Sequence, residues 1–89
     1  MQITYTPEAK AHLDFWVKTG NKVILKKIVQ LTKAIIESPF TGIGKPEALK
    51  HDLTGYWSRR ITGEHRFVYR IIDDALIIQS LKGHYWVTL

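Results

Sequence analysis

Among its 89 residues the chain has no cysteine, which excludes disulfides, thiolate nucleophiles and cysteine-based zinc sites. It also lacks any apolar run near the roughly 20 residues that a membrane helix needs. Met1-Gln2-Ile3-Thr4-Tyr5 is not the basic stretch and apolar segment of a secretory signal. No membrane contact and a cytoplasmic location are therefore expected. Histidine pairs at the close spacing of a helical metal site are missing, so neither metal nor cofactor is expected. Ser38, Ser58 and Ser80 stand in no nucleophile-elbow context, which argues against acyl transfer. There is no internal repeat, linker or low-complexity tract, and a second domain would leave neither with a core. Residues 1–89 are read as one domain.

What is present is the balance of an ordinary globule: 45% hydrophobic and 24% charged residues, with aromatic residues at 11% supplying bulk. The net charge of +5 and a pI near 9.6 suggest a polyanionic partner.

The chain reads as a helical half followed by a strand half. Gln2 to Thr6 alternates polar and apolar residues as a short first strand. Thr6-Pro7-Glu8 then has the cap, first-turn proline and first-turn acid of a helix start. Ala9, Leu13, Trp16 and Val17 recur at helical spacing until Gly20, and Asn21 caps a second helix striped by Ile24, Ile28, Leu31 and Ile35. Val23, Leu25, Val29 and Ile36 are expected to broaden its apolar face. After the stop at Ser38-Pro39 comes a loop to Gly44, and Pro46 to Lys50 could form one helical turn. Extended segments at Tyr56–Ile61, His65–Ile72 and Ala75–Lys82, with turns at Thr62-Gly63 and Asp73-Asp74, form an antiparallel meander. The fold class is α+β, with the N-terminal strand and helical hairpin packed on an antiparallel sheet.

Cation type is distributed unevenly. All nine lysines fall outside the span 59–70, and all four arginines (Arg59, Arg60, Arg66 and Arg70) fall inside it. Guanidinium is a fixed fork that grips phosphate bidentately and stacks on bases, whereas ammonium is a hydrated point charge. Trp57 and Arg59 share one strand face, and Tyr56, Ser58 and Arg60 share the other. Arg66, Val68 and Arg70 lie opposite His65, Phe67 and Tyr69. Register decides which arginines share a cleft, and arginines on a sheet face also serve solubility. Glu47 and His84 complete a potential base and acid, although Glu47 is equally placed to pair with Lys50 at i, i+3. Together these residues suit metal-free RNA cleavage. In that reaction the substrate's 2′-OH attacks, a base takes its proton, an acid protonates the 5′-oxygen, and cations balance the crowded phosphate.

The run from Pro39-Phe40-Thr41-Gly42-Ile43-Gly44-Lys45-Pro46-Glu47 through Ala48-Leu49-Lys50-His51 resembles the YoeB (Txe) toxin family of the RelE/ParE group. Gly55, Trp57-Ser58-Arg59-Arg60-Ile61, Glu64-His65-Arg66, Val68-Tyr69 and His84-Tyr85 extend the likeness over essentially the whole chain. The resemblance implies a ribosome-dependent endoribonuclease that cuts mRNA in the decoding site and is neutralised by a YefM-like antitoxin. It also implies a homodimer, and a toxin–antitoxin complex that binds operator DNA. On the family pattern the general base falls on Glu47, the phosphate-stabilising arginine on Arg66 and the acid on His84. Lys50 and Arg59 would hold the RNA backbone or scissile phosphate, and Tyr85 would position or stack on the substrate. The rival within the same fold group is a noncatalytic binding module, a gyrase poison or operator-binding co-repressor. Relatives typically stop at the His-Tyr pair. Here Trp86-Val87-Thr88-Leu89 follows, expected to continue the last strand or pack at the dimer contact.

Overall fold

The computed structural model describes residues 1–83. In chain order it has β1 (Gln2–Tyr5), α1 (Pro7–Lys18), α2 (Lys22–Glu37), β2 (Glu47–Ala48), a 3-10 turn (His51–Leu53), β3 (Trp57–Arg60), β4 (Arg66–Ile72) and β5 (Ala75–Ser80). The helix starts follow the expected chemistry. The Thr6 hydroxyl accepts from Ala9 N–H at 3.1 Å, and the Asn21 side chain accepts from Ile24 N–H at 3.1 Å.

One five-stranded sheet forms, in the order β1-β5-β4-β3-β2. β2 to β5 pair antiparallel as the tight turns require. The first strand, however, lies parallel to β5, with Gln2 opposite Ala75 and Tyr5 opposite Ile78, so the sheet is mixed. The helical hairpin carries the chain from β1 at one edge of the sheet to β2 at the other, and the antiparallel strands then return it to β5 beside β1.

The helices cover one face. Ala9 and Trp16 of α1, and Ile24, Ile28, Leu31 and Ile35 of α2, pack on Phe67, Tyr69, Leu76, Ile78 and the following Leu81. The broader apolar face expected of α2 is not buried. Val23, Val29 and Ile36 are exposed, as is Val17 of α1, and Leu25 is only half-buried against the core. A helix meets a sheet along one stripe, and residues beside the 24-28-31-35 stripe are rotated out of that contact.

The expected helical turn over Pro46 to Lys50 is replaced by β2, where Glu47 pairs with Ser58 and Ala48 with Trp57. Positive φ values at Lys45 (52°) and His51 (60°) bracket the segment and interrupt any helix there.

Candidate active site

Alternation on β3 and β4, combined with their register, sorts the arginines onto opposite faces. Arg59 pairs with Phe67 and Arg60 with Arg66, so Arg59 shares the helix-covered side while Arg60 and Arg66 share the other. Glu47, opposite Ser58, joins this second face from β2. Lys45, Glu47, Ser58, Arg60 and Arg66 line a concavity of about 140 Å³. One carboxylate thus sits among three cations, with Glu47, Arg60 and Arg66 on strands and Lys45 in the loop just before β2.

Arg66 is held by the turn that precedes it. The Thr62 hydroxyl accepts from the N–H groups of Glu64 and His65 at 3.1 and 3.2 Å, which folds the turn tightly. Arg66 Nη1 then donates to the carbonyls of Thr62 and Gly63 at 3.0 and 3.1 Å. Arg60 directly opposite is a like charge, and such cross-strand pairs are mildly unfavourable. The pairing becomes favourable once an anion lies between the two guanidinium groups.

Arg59 has a different role from the one expected. It is fully buried. Its Nε donates to Tyr69 Oη at 3.2 Å, Nη1 to the Ile43 carbonyl at 3.1 Å, and Nη2 to the carbonyls of Ser38 and Thr41 at 2.7 and 2.9 Å. Tyr69 Oη in turn donates to the Pro39 carbonyl at 2.6 Å. Burial pushes the Tyr69 phenol up from its usual 10.0, while Arg59 draws it partly back. This pair fastens the loop from Ser38 to Ile43 to the covered face, so Arg59 is a loop anchor and not a phosphate contact. The chain then passes through Gly44 (φ 83°), whose carbonyl accepts from Arg60 N–H at 2.7 Å. A Cβ there would lie 2.8 Å from Leu31 Cδ2, so only glycine lets the loop close this tightly. The anchored loop delivers Lys45 and Glu47 to the open face.

The other expected site residues fare unequally. Lys50 is exposed where the chain enters the 3-10 turn, and it does not line the concavity. His84, Tyr85 and the extension Trp86 to Leu89 lie outside the described residues. Lys45, Ser58 and Arg60 line the concavity without having been singled out as site residues. The strand alternation carried the signal for Ser58 and Arg60, and the hairpin register was the missing piece. A larger hollow of about 550 Å³ lies at the opposite sheet edge, lined by Met1, Gln2, Ile72, Asp73, Asp74, Ala75 and Ile77. It carries no cation besides the amino terminus, 3.9 Å from Asp74. The smaller concavity is therefore the better match to an anionic substrate.

Comparison with known proteins agrees with this architecture. The family model described as "YoeB-like toxin of bacterial type II toxin-antitoxin system" matches residues 5–85. Toxin YoeB of Synechocystis sp. is 52% identical over 85 residues, covering 96% of this chain and 98% of the relative. A YoeB/ParE toxin from Agrobacterium tumefaciens superimposes with a TM-score of 0.92 at 41% identity, covering 96% of this chain and all of that one (100%). The Staphylococcus aureus YoeB has been solved both as a dimer (TM-score 0.87, 44% identity) and in complex with YefM (TM-score 0.86, 45% identity). In each case 96% of this chain and 98% of that chain are covered.

Proposed function

Since the chain belongs to the YoeB-like toxins of bacterial type II toxin–antitoxin systems, we propose that it is an endoribonuclease that cleaves mRNA on the ribosome by metal-free acid–base catalysis. The observation that carries this reading is the gathering of Glu47 with Lys45, Arg60 and Arg66 around one concavity on the open sheet face. A surface that only binds polyanions gains nothing from a carboxylate among its cations; a surface that must remove a proton needs one.

In the proposed reaction the Glu47 carboxylate takes the proton of the substrate's 2′-OH. The 2′-oxygen attacks the adjacent phosphorus, and the bond to the 5′-oxygen breaks. Arg66, held by the turn carbonyls, and Arg60 beside it stabilise the added negative charge of the pentacoordinate phosphate. His84 supplies a proton to the leaving 5′-oxygen. The products are a 2′,3′-cyclic phosphate and a free 5′-OH, and no external nucleophile is consumed. Lys50 and Tyr85 are assigned to holding the RNA. The ribosome's part is to present the mRNA bent for in-line attack, a positioning contribution that the small concavity does not supply alone.

By kinship with the Staphylococcus aureus structures, the protein is assigned a homodimeric form and a YefM-like antitoxin as its neutralising partner. Operator DNA is reached through that complex. No helix among the described residues is long and apolar enough to cross a membrane, which is compatible with action in the cytoplasm.

The test is induction of the toxin alone, followed by mapping of mRNA 5′ ends, with Glu47→Gln as comparator. Cuts in translated frames that disappear in the variant support the assignment. Undiminished cutting in a folded Glu47→Gln or His84→Ala protein overturns the assignment of that residue, and undiminished toxicity without any cutting overturns the nuclease in favour of a noncatalytic binding module.

A further inference from the structure

After Ser80 the chain leaves the β ladder, yet its peptide groups remain held. His12 Nδ1 accepts from Leu81 N–H at 3.1 Å, and Trp16 Nε1–H donates to the Leu81 carbonyl at 3.0 Å. His65 Nδ1 accepts from Gly83 N–H at 2.9 Å, and the Gly83 carbonyl accepts from Arg66 N–H at 3.0 Å. The Trp16 and His65 rings meet edge to face at 4.8 Å, and the Lys82 ammonium sits 4.7 Å from the centre of the Phe15 ring. Gly83 itself turns at φ 82°, a conformation that favours glycine.

Backbone N–H groups are ordinarily satisfied by carbonyls or water, and here two within three residues, those of Leu81 and Gly83, are taken by imidazole nitrogens. Holding a strand end for packing alone would not call for two histidines, because neither ring adds much apolar burial. The arrangement makes sense for a segment whose exit point matters. The next residue in sequence is His84, and the carbonyl before it is bonded to the backbone of Arg66. An acid displaced by about 1 Å from its leaving group loses much of its effect.

We propose that His12 and His65 are positioning residues: their Nδ1 atoms, with Trp16, fix Leu81–Gly83 so that the chain delivers residue 84 from a constant point beside Arg66. The inference rests on the proposed role of His84 as proton donor. Both rings act here in the neutral form with the proton on Nε2, because a protonated Nδ1 cannot accept. The groups facing His12 are the Glu8 carboxylate on its own helix, 4.0 Å from Nε2, the Ser80 hydroxyl at 3.4 Å from Nδ1, and Lys82 and His65 across the helix–strand contact. Those flanking His65 are His12 and its chain neighbours Glu64 and Arg66.

The experiment uses the purified full chain and two readouts: amide hydrogen exchange at Leu81 and Gly83, and steady-state cleavage of a defined mRNA on programmed ribosomes. Asparagine places its amide oxygen where Nδ1 was, whereas glutamine places its amide near Nε2. His65→Gln is expected to lose about tenfold in Gly83 N–H protection and about tenfold in kcat, with KM changed less than about twofold. His65→Asn is expected to restore both, and His12→Gln against His12→Asn should repeat the pattern at Leu81. Equal Gly83 protection in His65→Gln and wild type overturns the clamp. Lost protection with unchanged kcat overturns the positioning role alone. A wild-type protein that cleaves no ribosome-bound mRNA sinks the proposed function, and the positioning role with it, whatever the exchange rates.

Discussion

The two faces of β3 and β4 use the same residue type for opposite ends. Arg59 and Arg60 are adjacent in the chain, yet Arg59 is spent on protein carbonyls beneath the helices while Arg60 stands on the open face opposite Arg66. On the covered side the guanidinium closes a loop, and every bond it makes is internal. On the open side two arginines stand opposite each other in the strand register and line one concavity, an arrangement that invites an anion. Pleating alone separates a buried, structural arginine from one on the open face, and neither composition nor charge count distinguishes them.

Substitutions on each face should therefore fail differently. The largest effect is expected for Glu47→Gln: cleavage on ribosomes falls by about 10²- to 10⁴-fold, the usual worth of a general base, while the thermal midpoint stays nearly unchanged. Cleavage rates and calorimetry on the same preparation check both halves. Arg59→Lys should reverse the pattern. A lysine cannot reach four acceptors in this fork, so stability should fall by about 3 kcal/mol in denaturant titration. Activity per folded molecule would drop only insofar as the loop carrying Glu47 loosens. Tyr69→Phe removes one donor to Pro39 and one acceptor for Arg59, and about 1 to 2 kcal/mol of stability should go with it. Because the Tyr69 phenol is raised, the unfolded chain loses its proton first. The wild type should thus lose stability as pH climbs above 10.0, and the Phe variant should lack that component.

A smaller pH effect is expected on the acid side. Burial, opposed by Glu8 and assisted by Lys82 and His65, lowers His12 below its usual 6.5. The unfolded chain then binds a proton before the folded one does. This contribution to stability is complete above about pH 6.5 and is lost as pH falls through and below that value, a slope that His12→Asn should flatten. Smallest of all, Arg60→Ser relieves the like-charge pair and should raise stability by a few tenths of a kcal/mol, read as a slightly higher melting temperature, while weakening RNA binding. A stability loss in that variant would break the contrast between the two faces.

Much of this was legible in the sequence because local rules carried it. The caps at Thr6 and Asn21, the 24-28-31-35 stripe and the two hairpin turns each announce themselves within a few residues. What could not be read locally depended on partners distant in the chain. The parallel seat of β1 required knowing that β5 was free on that side. The two-residue β2 has no periodicity to detect, and it exists because Ser58 and Trp57 offer it a ladder. The burial of Arg59 runs against the ordinary preference of arginine, and the carbonyls of Ser38, Thr41 and Ile43 together with the Tyr69 hydroxyl make it tolerable. Glu47 and Arg66 were identified from the motif they share with relatives. Their meeting with Arg60, Ser58 and Lys45 follows from a register that no single strand encodes.

The parallel pairing of the first and last described strands also sets when this fold can exist at all. Thr6, which caps α1, donates to the carbonyl of Gln79, 73 residues further along. Until β5 has been synthesised, β1 has no ladder to join, the strand end held by His12, Trp16 and His65 is not yet made, and α1 and α2 lack Leu76, Ile78 and Leu81 to pack on. A contact of such long range closes late in folding. The nascent chain is therefore an incomplete domain for most of its synthesis, and its two helices and first strand gain a common sheet only when β5 arrives.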